Sequence, residues 1–515
     1  MKQLIPKHTS IYLLMLAITA ILATGCRKFL DTENQGEYTA EDYPYPQGAG
    51  PYDPFIFSAY NYLRDYNVHA APFIVATSIR SDDADKGSTP TDGGPDVISM
   101  DNFPVLPTNG IANALWVNYY NLINRCNTAI NEVNNNQAIQ AEPSIKTQAE
   151  AEMRFIRGYG YFMLVRLFGR VPIISRVLEV SESNVPQSDI AQVYAFIETD
   201  LQYAAANLPP AWDPKFIGRA TSGSAYGLLA KVFLTEKKWG AAVSAANTVI
   251  NSGRYNLSTP YDQIFRESGE NSSESVFEVQ ATSSARTPTQ NGVQYANIQG
   301  VRGPGNFNMG WGWNTPSTTL ENAYEPGDPR RQSTILYAST TAAISRSIYG
   351  EPLPVYPSEV PNPRYNQKVY TNPTYRTLNN DRGGWWMNVR VLRYADVMLI
   401  MAEAANELGG ASNSTSAVSA LNAVRTRARG TNANILPPVQ STNQEEIRQA
   451  IRHERRIELA MEHDRFFDLV RWGIADQALH AAGKTNFMSS RDALLPIPQA
   501  QIDLSRGLLT QNPGY

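Results

Sequence analysis

Apolar residues recur three and four positions apart through most of the first half of the chain and again near its end, the spacing of amphipathic helices. "ALWVNYYNLINRCNTAINEV" (residues 114–133) keeps this rhythm. "EAEMRFIRGYGYFMLVRLFG" places Phe155, Tyr159, Phe162 and Leu164 to Leu167 on an inward stripe that Gly169 and Pro172 end. "SDIAQVYAFIETDLQYAAANLPP" opens on a capping Ser188/Asp189 and stops at Pro209 and Pro210. In "GRATSGSAYGLLAKVFLTEKKWGAAVSAANTVINSGRYNL", Ala230 and Phe233 lie one turn apart, and Ala242, Ala246 and Val249 repeat the small-and-large spacing. Such alternation lets two antiparallel helices approach closely, in the manner of a degenerate tetratricopeptide unit. "ADVMLIMAEAANELG" and "TSAVSALNAVRTRAR", with Ala417, Leu421 and Val424, predict a second such pair with a longer loop. About four helix pairs are expected in all.

The rhythm fails between about residues 252 and 386, where Pro, Gly, Asn and aromatics dominate. A structureless loop of that length is implausible in a compact domain, so a loop-rich subdomain with a few short strands such as "SVFEVQ" is expected. The fold class is therefore mostly α: tetratricopeptide-like helix pairs form a scaffold, over about 55–250 and 387–480, that carries a large loop-rich part.

The N-terminus has its own pattern. Lys2 and Lys7 precede the uncharged run "IYLLMLAITAILA", too short for the roughly 20 residues of a membrane span but suited to a secretory signal. "ATGC" then resembles a lipoprotein cleavage site, with Ala23 where that pattern expects Leu. Residues 1–25 are expected to be removed and Cys26 acylated, leaving 26–515 as one domain held by a lipid anchor. The other cysteine, Cys126, then has no disulfide partner and reads as a small buried apolar residue. A formal net charge of −4, with no basic cluster, argues against nucleic acid.

Catalytic motifs are largely missing. "HERRIELAMEH" is not a zinc-binding helix, no Cys/His cluster has metal-ligand spacing, and nucleophile-elbow, phosphate-loop and dinucleotide patterns all fail. No metal and no cofactor is expected. Glu454, Glu458 and Glu462 fall on one helix face and could mimic a glycosidase pair, but Arg455, Arg456, Arg465 and Arg471 interleave with them. Carboxylates paired with guanidinium make poor general acids, so an ion-paired framework is expected. The acidic loop "SIRSDDADKGSTPTDGGPD", with Arg80 and Asp82, has three open readings: a solvated loop, hydrogen bonding to a polar ligand, or calcium.

"NMGWGWNTP" (residues 308–316) puts two indoles on a Gly- and Asn-rich loop. They either form the small core of the loop subdomain or a platform for sugar rings, whose C–H faces stack on indole while hydroxyls need amide and charged partners. Trp311, Trp313, Tyr295 and Phe307, interleaved with Asn308, Asn314 and Arg302, supply both kinds of contact, and glycine would let the rings lie close to a ligand.

Taken in order, "CRKFLDT", "WVNYYNLINRCNTAI", "EAEMRFIRGYGYFMLVRLFGRVPII", "GRATSGSAYGLLAKVFL", "LENAYEPGDPRRQSTIL", "VLRYADVMLIMAEA", "LNAVRTRAR", "ERRIELAMEHDRFFDLVRWG", "LLPIPQAQI" and "LTQNPGY" resemble the SusD/RagB family of nutrient-binding outer-membrane lipoproteins. The resemblance implies a non-enzymatic protein that captures oligosaccharides, or peptides in the RagB branch, and closes over a SusC-like TonB-dependent transporter. It carries over no ligand residue by position. Glycan capture, with ligand-bound Trp311 and Trp313, is the leading expectation. A peptide binder, a glycoside hydrolase and a repeat scaffold are its competitors.

Overall fold

The structure, a computed structural model, describes residues 50–341 and 347–515. The expected signal segment and Cys26 lie outside the described residues. Among the described residues nine helices form the frame: α1 (Asp53–Tyr62), α2 (Gly110–Asn135), α3 (Pro143–Phe168), α4 (Ile190–Asn207), α5 (Ser222–Thr235), α6 (Trp239–Asn251), α7 (Tyr394–Leu408), α8 (Ala411–Arg429) and α9 (Gln444–Glu458). Helices α1 to α8 each pack mainly on the helix before and after, and α9 packs on both α7 and α8. The stack runs unbroken from α6 to α7, although the entire loop-rich segment separates them in sequence.

Local chemistry explains this stacking. Asn109 caps α2, its side-chain oxygen accepting from the N–H groups of Ile111 and Ala112 at 2.9 and 3.1 Å. A Cβ at Gly158 would meet Leu201 of α4 at 3.0 Å, and one at Gly160 would meet Ile123 of α2 at 3.3 Å. Glycine at these positions therefore lets α3 lie close to both neighbours. Arg157 of α3 then bolts the three together, donating to Asp200 at 2.7 and 2.8 Å and to Asn127 at 2.7 Å. Cys126 is buried in this core as a free thiol, its pKa pushed up by burial.

The small residues expected to seat the α5–α6 pair, Ala230, Ala242, Ala246 and Val249, are all buried. The α7–α8 pair differs from expectation at its turn. Instead of a longer loop, Gly409 and Gly410 alone join the helices, at φ of 71° and 88°. Two consecutive left-handed residues make a tight reversal that side chains other than glycine rarely adopt.

The loop-rich part leaves and rejoins the scaffold through one antiparallel pair, β2 (Ser275–Val279) with β6 (Val389–Arg393). Ser224 of α5 donates to the Val276 carbonyl at 2.6 Å, fixing that exit to the helices. Two further pairs stiffen the excursion: β1 (Ala84–Gly87) with β3 (Trp313–Pro316), and β4 (Ile335–Tyr337) with β5 (Arg364–Asn366). Val301, Met309, Leu336, Leu353, Val360 and Tyr365 form a separate small core for it.

Candidate functional site

The β1–β3 pair brings together two segments that the sequence holds far apart, the acidic loop and the tryptophan stretch, with Gly87 opposite Trp313. Asp92, just beyond β1, is the hub between them. Its carboxylate accepts from the Trp313 indole N–H at 3.0 Å and the Ser88 hydroxyl at 2.7 Å, and also pairs with Arg302. Partial burial alone would raise the Asp92 pKa, but the bonds from Trp313 and Ser88 and the Arg302 charge outweigh it and hold the group below its ordinary value. Arg302 is thus an exposed side chain with a fixed head, also donating to Ser88 at 2.8 Å.

The two tryptophans have divided roles. Trp313 is 5% exposed and belongs to the main core, its ring lying where a Cβ on Gly93 would meet it at 2.9 Å. Trp311 is half-buried and stands edge-to-face on Trp313, with centroids 5.0 Å apart. Its ring is tilted against the exposed Tyr66, centroids 6.3 Å apart. No described residue accepts from the Trp311 indole N–H. Trp311 and Tyr66 therefore form a small aromatic platform with an unused donor, flanked by the Arg302 guanidinium. The glycines nearby serve the loop rather than a ligand: Gly310 packs directly on the Asn297 carbonyl, and Gly312 has φ of 72°.

The remaining candidates sort by burial. Asn308 is exposed, with its side chain unpaired among described residues, and Phe307 is half-buried against the loop core. Asn314 is fully buried, in a left-handed conformation (φ 57°), and donates to Gln299 at 2.7 Å. It sits in the core, its amide oxygen buried without a partner among described residues, where a surface position was expected. Tyr295 is half-buried and shares a 2.7 Å hydrogen bond with Nε2 of the buried His463, which ties the loop part to the scaffold. Burial pushes that imidazole down to about 3, so it is neutral.

Arg80 and Asp82 are corrected outright. Arg80 is 0% exposed, donates to the Asp492 carbonyl at 2.6 Å and lies 4.1 Å over the Phe466 ring. Asp82 is buried beneath Arg465, which donates to it at 2.8 and 2.9 Å, and Arg456 pairs with Asp82 and Asp83 at 3.1 and 2.7 Å. Both carboxylates of the "SDD" run therefore neutralise arginines in the core. The calcium and polar-ligand readings lose their principal acids.

An ion-paired framework is present, but its partners differ from expectation: Arg455, Arg456, Arg465 and Arg471 pair with Asp396, Glu403, Asp468, Asp82 and Asp83, and the three glutamates take their cations from distant segments. Helix α9 ends at Glu458, and Glu462 reaches the same network from the following turn, where Met461 and His463 have positive φ. Arg330 bridges Glu454 and Glu458; Arg393 binds Glu274, Glu458 and Glu462; Arg427 binds Glu274 and Glu458. Burial would raise the Glu458 pKa, but the charges of Arg427, Arg393 and Arg330 drive it far below the ordinary range. An ionised, sealed carboxylate cannot protonate a leaving group.

Two residues of this candidate site, Tyr66 and Asp92, were not among those singled out from the sequence. Tyr66 begins the four-residue helix Tyr66–His69, which Asp65 caps by accepting from Asn67 N–H at 2.8 Å. That cap is legible in "RDYNVH", but the meeting with Trp311 is a long-range contact with no local signal.

Comparison with known proteins places this architecture. A sequence profile of the SusD family matches residues 247–515, and one described as starch-binding associating with outer membrane matches residues 96–234. The chain belongs to the SusD family. SusD-like protein P2 of Formosa agariphila is 31% identical over 457 residues, covering 85% of this chain and 87% of its own. The solved structure of a laminarin binding SusD-like protein is 30% identical, with a TM-score of 0.74 over 92% of this chain and 100% of that one. Surface glycan-binding protein A from Bacteroides fluxus is 25% identical, with the same TM-score and coverage. Among described residues no helix is long and apolar enough to cross a membrane.

Proposed function

We propose that this chain is a non-catalytic outer-membrane lipoprotein, anchored through acylated Cys26, that captures an oligosaccharide on Trp311 and Tyr66. It then delivers the sugar to a SusC-like TonB-dependent transporter. The observation that carries the reading is the half-buried Trp311, backed by Trp313 and tilted to Tyr66, with its indole N–H free. An indole held on one side and open on the other suits the C–H face of a pyranose, and Arg302 and Asn308 stand by for hydroxyls. The match to a laminarin binding protein makes a β-glucan of that type the first ligand to test.

Titration calorimetry of the chain lacking residues 1–26 against laminarihexaose, followed by a glycan array, tests the capture step. Saturable binding that Trp311→Ala weakens is expected. Silence across the array with binding to peptides would overturn the reading in favour of peptide uptake. Fatty-acid labelling of Cys26→Ala in its host tests the anchor: loss of label is expected, and undiminished label would refute acylation at this cysteine.

A further inference from the structure

We propose that a cleft sharing no lining residue with the Trp311 platform is a second oligosaccharide site, built on Tyr375 and Tyr349. This rests on the reading of the chain as a glycan-capture protein, but it concerns different residues. The cleft measures about 1390 Å³ and is lined by Tyr337, Tyr349, Tyr375, Gln263, Gln332 and Arg429 among others. Drug-sized ligands fill about 300–1,000 Å³, so this cleft has room for several sugar rings.

Its aromatic wall is built like the platform. Tyr375 is 37% exposed and lies nearly parallel to Trp386, 26° between planes and 6.0 Å between centroids. Trp386 is buried, and its indole N–H donates to Glu267 at 2.9 Å, so the ring behind Tyr375 is fixed. Tyr349 packs on Tyr370 at 6.2 Å and 31° in the same way. Tyr375 exposed and Tyr349 half-buried, each braced by a second ring, offer held aromatic faces on which a sugar ring can stack.

The polar lining supports the same class. Gln367 lines the cleft and is 2% exposed, yet its amide nitrogen has no hydrogen-bond partner. This nitrogen keeps a hydrogen bond to give to an acceptor that enters the cleft. The exposed Gln332 amide is likewise unpaired among described residues.

Charge does not demand an anion. Of the lining arginines, Arg330, Arg331 and Arg427 pair with Glu454, Glu458, Glu321 and Glu274, and Arg266 and Arg429, which have no carboxylate partner among described residues, share the cleft with Asp262 and Glu267. What remains is tyrosine faces with amide and guanidinium donors and carboxylate acceptors in balance, the complement of a neutral sugar.

The test is hydrogen exchange on wild type, Trp311→Ala, Tyr375→Ala and Tyr375→Phe with hexasaccharides of β-1,3-glucan, β-1,4-glucan, xylan and mannan. With at least one sugar, residues 260–268, 347–350 and 372–376 should gain protection in wild type and in Trp311→Ala. The concentration required should rise about tenfold in Tyr375→Ala and stay near wild type in Tyr375→Phe, which keeps the stacking face. Protection confined to residues 66 and 302–313 overturns the second site and leaves the platform standing. Protection of neither region overturns both readings, and protection of the cleft by a peptide mixture but no sugar overturns the ligand class.

Discussion

Trp313 donates its indole N–H to the carboxylate of Asp92 at 3.0 Å, across 221 positions of sequence. This bond joins the tryptophan loop to the acidic loop at the point where β3 meets β1. It also determines which of two neighbouring indoles is available. Trp313 is buried with its N–H held by Asp92, and Trp311, standing edge-to-face on it, is left half-buried.

The two tryptophans should therefore respond differently to truncation. Trp313→Ala removes a core ring and orphans one Asp92 contact, and is expected to cost about 3–5 kcal/mol of stability. Trp311→Ala should lower glycan affinity by about 1–3 kcal/mol with a much smaller change in melting temperature. Calorimetry and thermal melts on the same two proteins check this. Early melting of Trp311→Ala with normal affinity would make both residues packing.

Asp92→Asn keeps an acceptor for Trp313 but removes the charge that fixes Arg302. Because the folded pKa of Asp92 is depressed, its contribution is complete above the ordinary value of 3.8 and lost as pH falls through the folded value. The variant should be less stable than wild type near neutrality, and the gap should close at low pH. A gap that stays constant down to pH 2 would show that the carboxylate charge is irrelevant here.

How much of this was legible beforehand varies with the range of the interaction. Helices α3 to α6 followed from periodicity, caps and stop signals, because those signals act within a few residues. The α7–α8 turn was misjudged since the glycine pair of "LGGAS" reads equally well as the start of a longer loop. Arg80, Asp82 and Asn314 looked like surface groups by composition. Their burial depends on partners such as Arg465, Asp492 and Gln299, which the fold supplies from distant segments. Polar residues satisfied at long range leave no mark in local sequence. The same limit hid Tyr66, whose partner Trp311 comes from the other half of the molecule.

Glu458→Gln should damage the frame without touching ligand capture. It leaves Arg330, Arg393 and Arg427 short of one shared anion in a sealed environment. Breaking one side of a buried ion pair costs about 3–5 kcal/mol, so a large fall in the urea midpoint is expected. Glycan affinity of the folded fraction should be unchanged. Glycan cleavage by wild type that vanishes in this variant would instead restore a hydrolase.

The final expectation concerns acid sensitivity. His69 and His463 both pack on Phe73, with ring centroids 5.0 and 4.7 Å away. Burial pushes their pKa values down to about 4 and about 3. Each is neutral in the fold but protonates near pH 6.5 when unfolded, so its stabilising contribution is complete above about 6.5 and declines as pH falls toward the folded value. Glu270, pushed up to about 7 by burial, works in the opposite direction over the same range. The informative quantity is therefore the difference between two proteins. His463→Asn suits the positive φ of 73° at this position and removes one of the titrating groups. It should be less stable than wild type at pH 7.5, through the lost contacts with Phe73 and Tyr295. The deficit should shrink by about 1.4 kcal/mol for each pH unit below 6.5. Urea melts at pH 7.5, 6.5, 5.5 and 4.5 measure it, and a deficit independent of pH would mean that His463 titrates in the fold as it does in the unfolded chain.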